Sequence, residues 1–472
     1  MKSHNYREKR DCRLTADAHL DIIIIRRTLF QKEACEMERL ILRELERWKS
    51  SRRRKPLVLR GARQVGKTWV LEEFGKSFPD GYVRFNFDRN PEYAQFFRST
   101  KDVRRILQNL AMASGQRITK DTLIIFDEIQ ACEEALNSLK YFHEDAPEYY
   151  VASAGSLLGL QLAGGFPVGQ VDFLEMGPMT FTEFLLADHA ENLAEYIASV
   201  DSFAPIPDAF FAPLAEKLKC YFVTGGMPES VLVWTEDKDP KEVDKVLSDI
   251  ITSYESDFGK HAPAEDVPKI RYIWQSLPSQ LAKENKKFLY SVVKPGARAR
   301  EYENALNWLR DADIISKVNR IRKPGLPLSA YDDLNAFKIY AVDVGLLRRL
   351  AHLPTTAFAE NNRLFTEFKG ALTENYVHQA LLRGFEVQPR YWAEAPHEVD
   401  FILQREGTII PVEAKAGENV RATSIKRYEK EYPAETPVMV RLSLRNLSFD
   451  GKMLNVPLFM VDRLDELIAM AL

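Results

Sequence analysis

The stretch Leu57 to Thr68, LVLRGARQVGKT, constrains the chain more tightly than any other. Three apolar residues suited to a short strand run into Gly61. Ala62, Arg63, Gln64 and Val65 follow, and Gly66-Lys67-Thr68 completes the pattern G-x-x-x-x-G-K-[ST]. Glycines at both ends let the backbone curl so that successive N–H groups point inward. A helix beginning near Lys67 turns its positive dipole end to the same place. That concavity suits the phosphates of ATP, with Lys67 reaching the β- and γ-phosphates and the Thr68 hydroxyl placed to ligate Mg²⁺. An ordinary strand-to-helix turn also uses such glycines, so the reading needs a second element.

Asp121 to Gln130, DTLIIFDEIQ, supplies it. The apolar run Leu123 to Phe126 fits a parallel strand covered on both faces, and it ends in Asp127 and Glu128. Ligands of such sheets sit at the strand carboxyl ends. Asp127 is expected to hold Mg²⁺ through water, and Glu128, one residue further out, to polarise the attacking water.

The chain of 472 residues is long enough for several domains, and 45% hydrophobic content gives each a core. A net charge of −3 excludes a globally basic coat, so contact with nucleic acid must come from local clusters. Cys12, Cys35, Cys132 and Cys220 show no C-x-x-C or metal-ligand spacing, which suits a reducing cytoplasm. The longest early apolar run, Ile22 to Ile25, is far short of the roughly eighteen residues that span a bilayer, so no membrane segment is expected. Residues 1–36 are polar and weakly patterned, whereas Met37 opens the amphipathic ERLILRELERW. The expectation is a disordered or non-native leader with Met37 as the natural start.

Strands alternating with helices over 37–205 predict an α/β P-loop core with a parallel sheet, its strands at Leu57–Arg60, Val83–Phe87, Leu123–Phe126, Tyr150–Ala152 and Val171–Glu175. Ser156, in Ser153-Ala154-Gly155-Ser156, is either a sensor of the γ-phosphate or part of a Gly-Ser turn. Arg63 faces either nucleotide or a neighbouring subunit.

GARQVGKT, LIIFDEIQ, FPVGQVDFLEMGPMTFTEFL (Phe166 to Leu185), YFVTGGMPES (Tyr221 to Ser230) and YESDFGK (Tyr254 to Lys260) together resemble the prokaryotic AAA-like ATPases that carry a conserved C-terminal domain of unknown function. The resemblance covers nearly everything from Met37 onward. It implies an archaeal-type AAA+ core, a small helical lid and a C-terminal nuclease-like module. A homo-oligomer is compatible with such a core, and the sequence does not fix its size. Many relatives have Gly-Arg where this chain has Gly169-Gln170, so that position supplies no arginine finger.

Residues 206–262 read as the helical lid. Over 263–350, helices at Lys269–Leu281 and Arg298–Asp311 precede two β-like runs, Ile314–Ile321 and Phe337–Val342, a winged-helix pattern. Thirteen Lys/Arg against seven Asp/Glu from Glu265 to Lys323 would supply phosphate contacts to DNA. A solvated face on a packing or protein-interaction domain is the other reading.

Residues 360–472 hold a second chemical pattern. Glu374 lies on a helix, Asp400 enters a strand, and Glu413-x-Lys415 lies on the next, where the strand period of two puts carboxylate and ammonium on one face. Asp400 and Glu413 would ligate a second Mg²⁺, with Lys415 stabilising charge at a phosphodiester and Glu374 completing the shell. The ordered set resembles the PD-(D/E)xK fold of restriction-endonuclease-like nucleases. Its alternatives are a surface ion-pair cluster, or a site that keeps the form without cutting. The expected function is therefore an ATPase coupled to nucleic-acid handling. The rival is a nucleotide-dependent switch that signals to a partner.

Overall fold

The computed structural model describes residues 37–156, 159, 169–283, 286–355, 363–417 and 422–472. The expected leader, residues 1–36, lies outside them, as does Phe166 to Val168 of the family-like segment. Arg39–Leu472 forms one compact unit.

Apolar runs too short for helices and bounded by turn residues become the strands of a first, wholly parallel sheet. They are β1 (Leu57–Arg60), β2 (Tyr82–Asn86), β3 (Leu123–Asp127), β4 (Tyr150–Ala154) and β5 (Asp172–Glu175), in the order β2-β3-β4-β1-β5. The register pairs Asn86 with Asp127 and Asp127 with Ala154, so the carboxyl ends of β2, β3 and β4 line one edge. The first strand has the expected bounds, and the other four differ from expectation by a residue or two at their ends. Phe87 falls outside β2, although its amide still donates to the Asp127 carbonyl at 3.1 Å.

Helices α1 (Ile41–Ser50), α2 (Lys67–Gly75), α3 (Ala94–Ser99), α4 (Val103–Ser114) and α5 (Glu133–Asp145) surround this sheet. The buried residues of α1, Ile41, Leu45 and Trp48, recur at helical spacing and give it one apolar stripe. Asp102 caps α4 by accepting from the amides of Arg104 and Arg105. Ile106 and Leu110 of α4 and Leu139 and Phe142 of α5 then pack with Phe85 and Phe126 of the sheet.

A helical region follows: α6 (Phe181–Ala187), α7 (Glu191–Ser199), α8 (Asp208–Thr224), α9 (Pro228–Asp237) and α10 (Pro240–His261). Thr180 and Glu183 form a capping box at the start of α6. Then come α11 (Val267–Leu281), α12 (Tyr290–Val293), α13 (Ala299–Asp311), the hairpin β6 (Ile315–Ile321) and β7 (Asp332–Ala341), and α14 (Val344–Leu350). Helices α11 and α13, with the short α12 between them, precede the hairpin. The second strand starts earlier than expected because Asp332 and Asp333 pair with Ile321 and Arg320 beyond a bulge at Asn319/Arg320.

That hairpin is not a free wing. Its strand β6 runs parallel to β8 (Arg390–Glu394), pairing Arg320 with Tyr391 and Ile321 with Trp392. Together with β9 (His397–Arg405), β10 (Thr408–Ala414), β11 (Met439–Ser443), β12 (Ser448–Asp450) and β13 (Met453–Pro457) it forms an eight-stranded mixed sheet, in the order β12-β13-β11-β10-β9-β8-β6-β7. One sheet thus crosses the boundary that composition places between 350 and 360. The helix α15 (Arg363–Gly384) packs against β7 and β10, α16 (Thr423–Glu431) against β9 and β10, and α17 (Leu464–Ala471) against β13. On one face Trp392, Ile402, Ile425 and Tyr428 share a core. Tyr340, His378 and Phe401 pack together in another buried group.

Candidate functional site

At the end of β1 the chain turns through Gly61 at φ +141°, and a Cβ there would fall 1.8 Å from the Met176 carbonyl oxygen, so only glycine fits. Gln64 and Gly66 also have positive φ, and α2 begins at Lys67 immediately after the loop closes. Lys67 is buried, and its ammonium donates to the carbonyls of Gly61 (2.8 Å) and Ala62 (2.7 Å). Burial, opposed by Glu128, Asp313 and Asp127, pulls its pKa down to about 8. A cation held in so dry a loop favours an anionic ligand.

Thr68 and Asp127 meet: the hydroxyl donates to Asp127 Oδ1 at 2.9 Å. Arg84 (Nε 3.0 Å, Nη2 2.6 Å) and Asn86 (2.8 Å), both on β2, donate to the other oxygen, Oδ2. The hydroxyl and carboxylate side by side under the phosphate loop fit Mg²⁺, with Oδ1 the oxygen on the Thr68 side. Glu128 sits in the left-handed region, φ +49°, a strained backbone for a non-glycine residue. Its Oε2 accepts from Ser156 Oγ at 3.2 Å and from Gln130. Ser156 is thereby engaged with Glu128.

Arg63 faces its own chain. Its guanidinium pairs with both carboxylate oxygens of Asp257 on α10, and Tyr254 of the same helix donates to the Arg63 carbonyl at 2.8 Å. The side chain of Asp257 is 7% exposed and that of Arg63 43%. Below the loop, buried Arg39 donates to the Val65 carbonyl (2.7 Å), the Gly177 carbonyl (2.8 Å) and Glu183 (3.2 Å). Asp313, in the turn between α13 and β6, has burial pushing its carboxyl up to about 6, with Glu175, Arg60 and Lys67 as its charged neighbours.

The C-terminal residues expected to act together do converge. Lys415 lies 3.2 Å from Glu413 and 3.9 Å from Asp400, and Asp400 Oδ2 accepts the Ala414 amide at 2.9 Å. Four further groups, Lys338, Glu398, Tyr340 and Lys286, join them. Lys338 of β7, fully buried, reaches Glu374 at 2.9 Å, Glu398 at 2.5 Å and Asp400 at 4.0 Å. Tyr340 donates to Glu374 at 2.5 Å, and Lys286 pairs with the other Glu374 oxygen. Burial raises the carboxyl pKa values of Glu398 and Glu413. Burial alone would lower Lys338, yet Glu374, Glu398 and Asp400 hold it above an ordinary lysine. Next to them His378, stacked on Tyr340 at 4.4 Å, is pulled down to about 3 by burial and is neutral at pH 7. Among the described residues, no group of three or more His, Cys, Asp or Glu side chains is arranged to hold a metal ion. Glu413 Oε2 is buried without a hydrogen-bond partner, but the Glu374 carboxylate is already committed to lysines and a tyrosine. This donor set does not fit Mg²⁺.

Sequence reasoning missed Arg84, Asp257, Lys338, Tyr340 and Glu398. Arg84 alternates with buried Val83 and Phe85, and Lys338 with Phe337 and Ile339; each reads in sequence as a solvated strand face. A polar residue between core positions was the available signal, and it cannot say what covers that face.

Three family models match parts of the chain: an AAA domain over residues 53–185, and two domains of unknown function, DUF8612 over 215–357 and DUF4143 over 369–459. The chain therefore carries an AAA domain that contains Lys67, Thr68, Asp127 and Glu128. No curated protein matches it. Among solved structures, it is similar to the Walker-type ATPase PABY2304 of Pyrococcus abyssi, at 15% identity and TM-score 0.43, covering 68% of this chain and 97% of that one. It is also similar to the Aeropyrum pernix ORC1 protein in complex with DNA, at 12% identity, TM-score 0.27, and 67% and 92% coverage. The Thermotoga maritima RuvB Holliday junction branch migration motor matches at 13% identity, TM-score 0.27, and 58% and 85% coverage. Among the described residues, no helix is long and apolar enough to cross a membrane.

Proposed function

We propose that this chain, with its AAA domain over residues 53–185, binds and hydrolyses ATP and couples turnover to the handling of nucleic acid. The observation that carries the reading is the convergence of buried Lys67, the Thr68–Asp127 contact and Glu128 at the carboxyl edge of a parallel sheet. The amides of residues 61–66 and Lys67 bind the phosphates, and Thr68 and Asp127 hold Mg²⁺. Bound there, the metal would neutralise charge on the β- and γ-phosphate oxygens. Arg84 and Asn86 fix the Asp127 carboxylate, while Ser156 and Gln130 fix that of Glu128, which orients the attacking water.

Two features support the nucleic-acid part: the basic excess from Glu265 to Lys323, and the order α15-β8-β9-β10-α16-β11, which carries Glu374, Asp400, Glu413 and Lys415. A second reading is a nucleotide-dependent switch that cuts nothing. The link from the phosphate loop to α10 through Arg63 and Asp257 favours it, because it ties the site directly to the helical region. Steady-state phosphate release, with and without single-stranded, duplex and branched DNA, tests both. Turnover that Lys67→Ala and Glu128→Gln abolish, and that DNA stimulates, supports coupling to nucleic acid. Turnover indifferent to DNA supports the switch, and a wild type that neither binds nor hydrolyses ATP overturns both.

A further inference from the structure

Three carboxylates of the C-terminal acid cluster, Glu374, Glu398 and Asp400, face a cation from elsewhere in the chain. Glu374 lies on α15 and Glu398 and Asp400 on β9, all inside the segment matched over 369–459. The ammonium set among them comes from β7, inside the segment matched over 215–357. Lys338 Nζ lies 2.9 Å from Glu374 Oε1, 2.5 Å from Glu398 Oε1, 4.0 Å from Asp400 Oδ1 and 4.9 Å from the Tyr391 ring centroid, with no exposure to solvent. Glu374 Oε1 also accepts from Tyr340, and Glu374 Oε2 pairs with Lys286. Asp400 Oδ2 takes the Ala414 amide, with Lys415 3.9 Å away.

Mg²⁺ and Mn²⁺ need near-octahedral oxygen ligands at about 2.1 Å. Three of the oxygens nearest to any such position already face one ammonium. A dication brought into a buried space beside a fixed monovalent cation meets uncompensated repulsion. We infer that Lys338 is the resident cation of this acid cluster, taking the place between Glu374, Glu398 and Asp400 that a divalent metal would fill, so that the native C-terminal module binds no metal there. The inference is independent of the ATPase reading.

The cation also locks two segments together, since β7 delivers the charge and α15 and β9 supply the carboxylates. Replacing Lys338 by an apolar side chain of similar length takes one shared ammonium from three carboxylates at once, while Glu374 keeps Lys286 and Tyr340 and Asp400 keeps the Ala414 amide, and a divalent cation then takes the vacated place.

The test is a Mn²⁺ titration of the nucleotide-free full chain, read by electron paramagnetic resonance and by the Tm shift. The comparison covers wild type, Asp400→Asn, Lys338→Met and Lys338→Arg. The expected result is equal Mn²⁺ stoichiometry for wild type, Asp400→Asn and Lys338→Arg, with one additional ion bound by Lys338→Met and a rise in Tm for that variant alone. A wild-type site lost in Asp400→Asn overturns the inference, as does a folded Lys338→Met that gains no ion. If Lys338→Met folds neither with nor without Mn²⁺, the wild type against Asp400→Asn comparison still decides.

Discussion

Lys67 keeps its charge where there is almost no water, and that sets a pH signature. Its folded pKa, about 8, lies below the ordinary lysine value. Between the two the unfolded chain binds more protons, so the ligand-free protein gains stability as pH rises through that window. A phosphate anion favours the charged ammonium and raises the value again. At about pH 8.5, ATP binding is therefore expected to take up a fraction of a proton, and affinity to fall as pH climbs further. Calorimetry in buffers of different ionisation enthalpy measures that uptake, which Lys67→Ala should lack. Loss of this charge-assisted hydrogen bonding, about 1.5–3 kcal/mol, weakens ATP binding roughly ten- to a hundredfold.

At the scale of elements, α10 holds the phosphate loop by a buried acid and a more exposed base. The two halves of that pair are unequal. Arg63→Ala strands the Asp257 carboxylate in the interior, at a cost of about 1–3 kcal/mol. Asp257→Asn lets Arg63 turn to solvent, at a cost of about 1 kcal/mol or less. Urea denaturation of the two variants is expected to rank them in that order. The loop itself was legible in the sequence because its chemistry is local: Gly61, Gly66, Lys67 and Thr68 fall within one turn, and Asp127 and Glu128 end one apolar run. In the C-terminal set only Glu413 and Lys415 are local to one strand end; their approach to Asp400 and Glu374 depends on packing between elements. Asp257 and Lys338 were not legible, because what gives each its meaning is a partner brought close only by tertiary packing. Asp257 is 194 residues from Arg63, and Lys338 is 36 residues from Glu374.

Across the whole molecule, the eight-stranded sheet makes residues 360–472 dependent on strands from before residue 350. A fragment of residues 360–472 lacks β6, β7, Lys286, Lys338 and Tyr340. Glu374 then loses every cation it is paired with, and breaking a buried pair in this way costs about 3–5 kcal/mol. That fragment is expected to show no cooperative thermal transition by circular dichroism, whereas one that begins at residue 263 should. The pairing of Arg63 with Asp257 has a further consequence, for the order in which the protein is made. The phosphate loop leaves the ribosome 194 residues ahead of the acid that holds its arginine. At about 5–20 residues per second that interval is roughly 10–40 s. The first sheet has time to form in that interval, while its loop still lacks the contact with α10, so the order of synthesis allows the nucleotide site to precede the helix that clasps it.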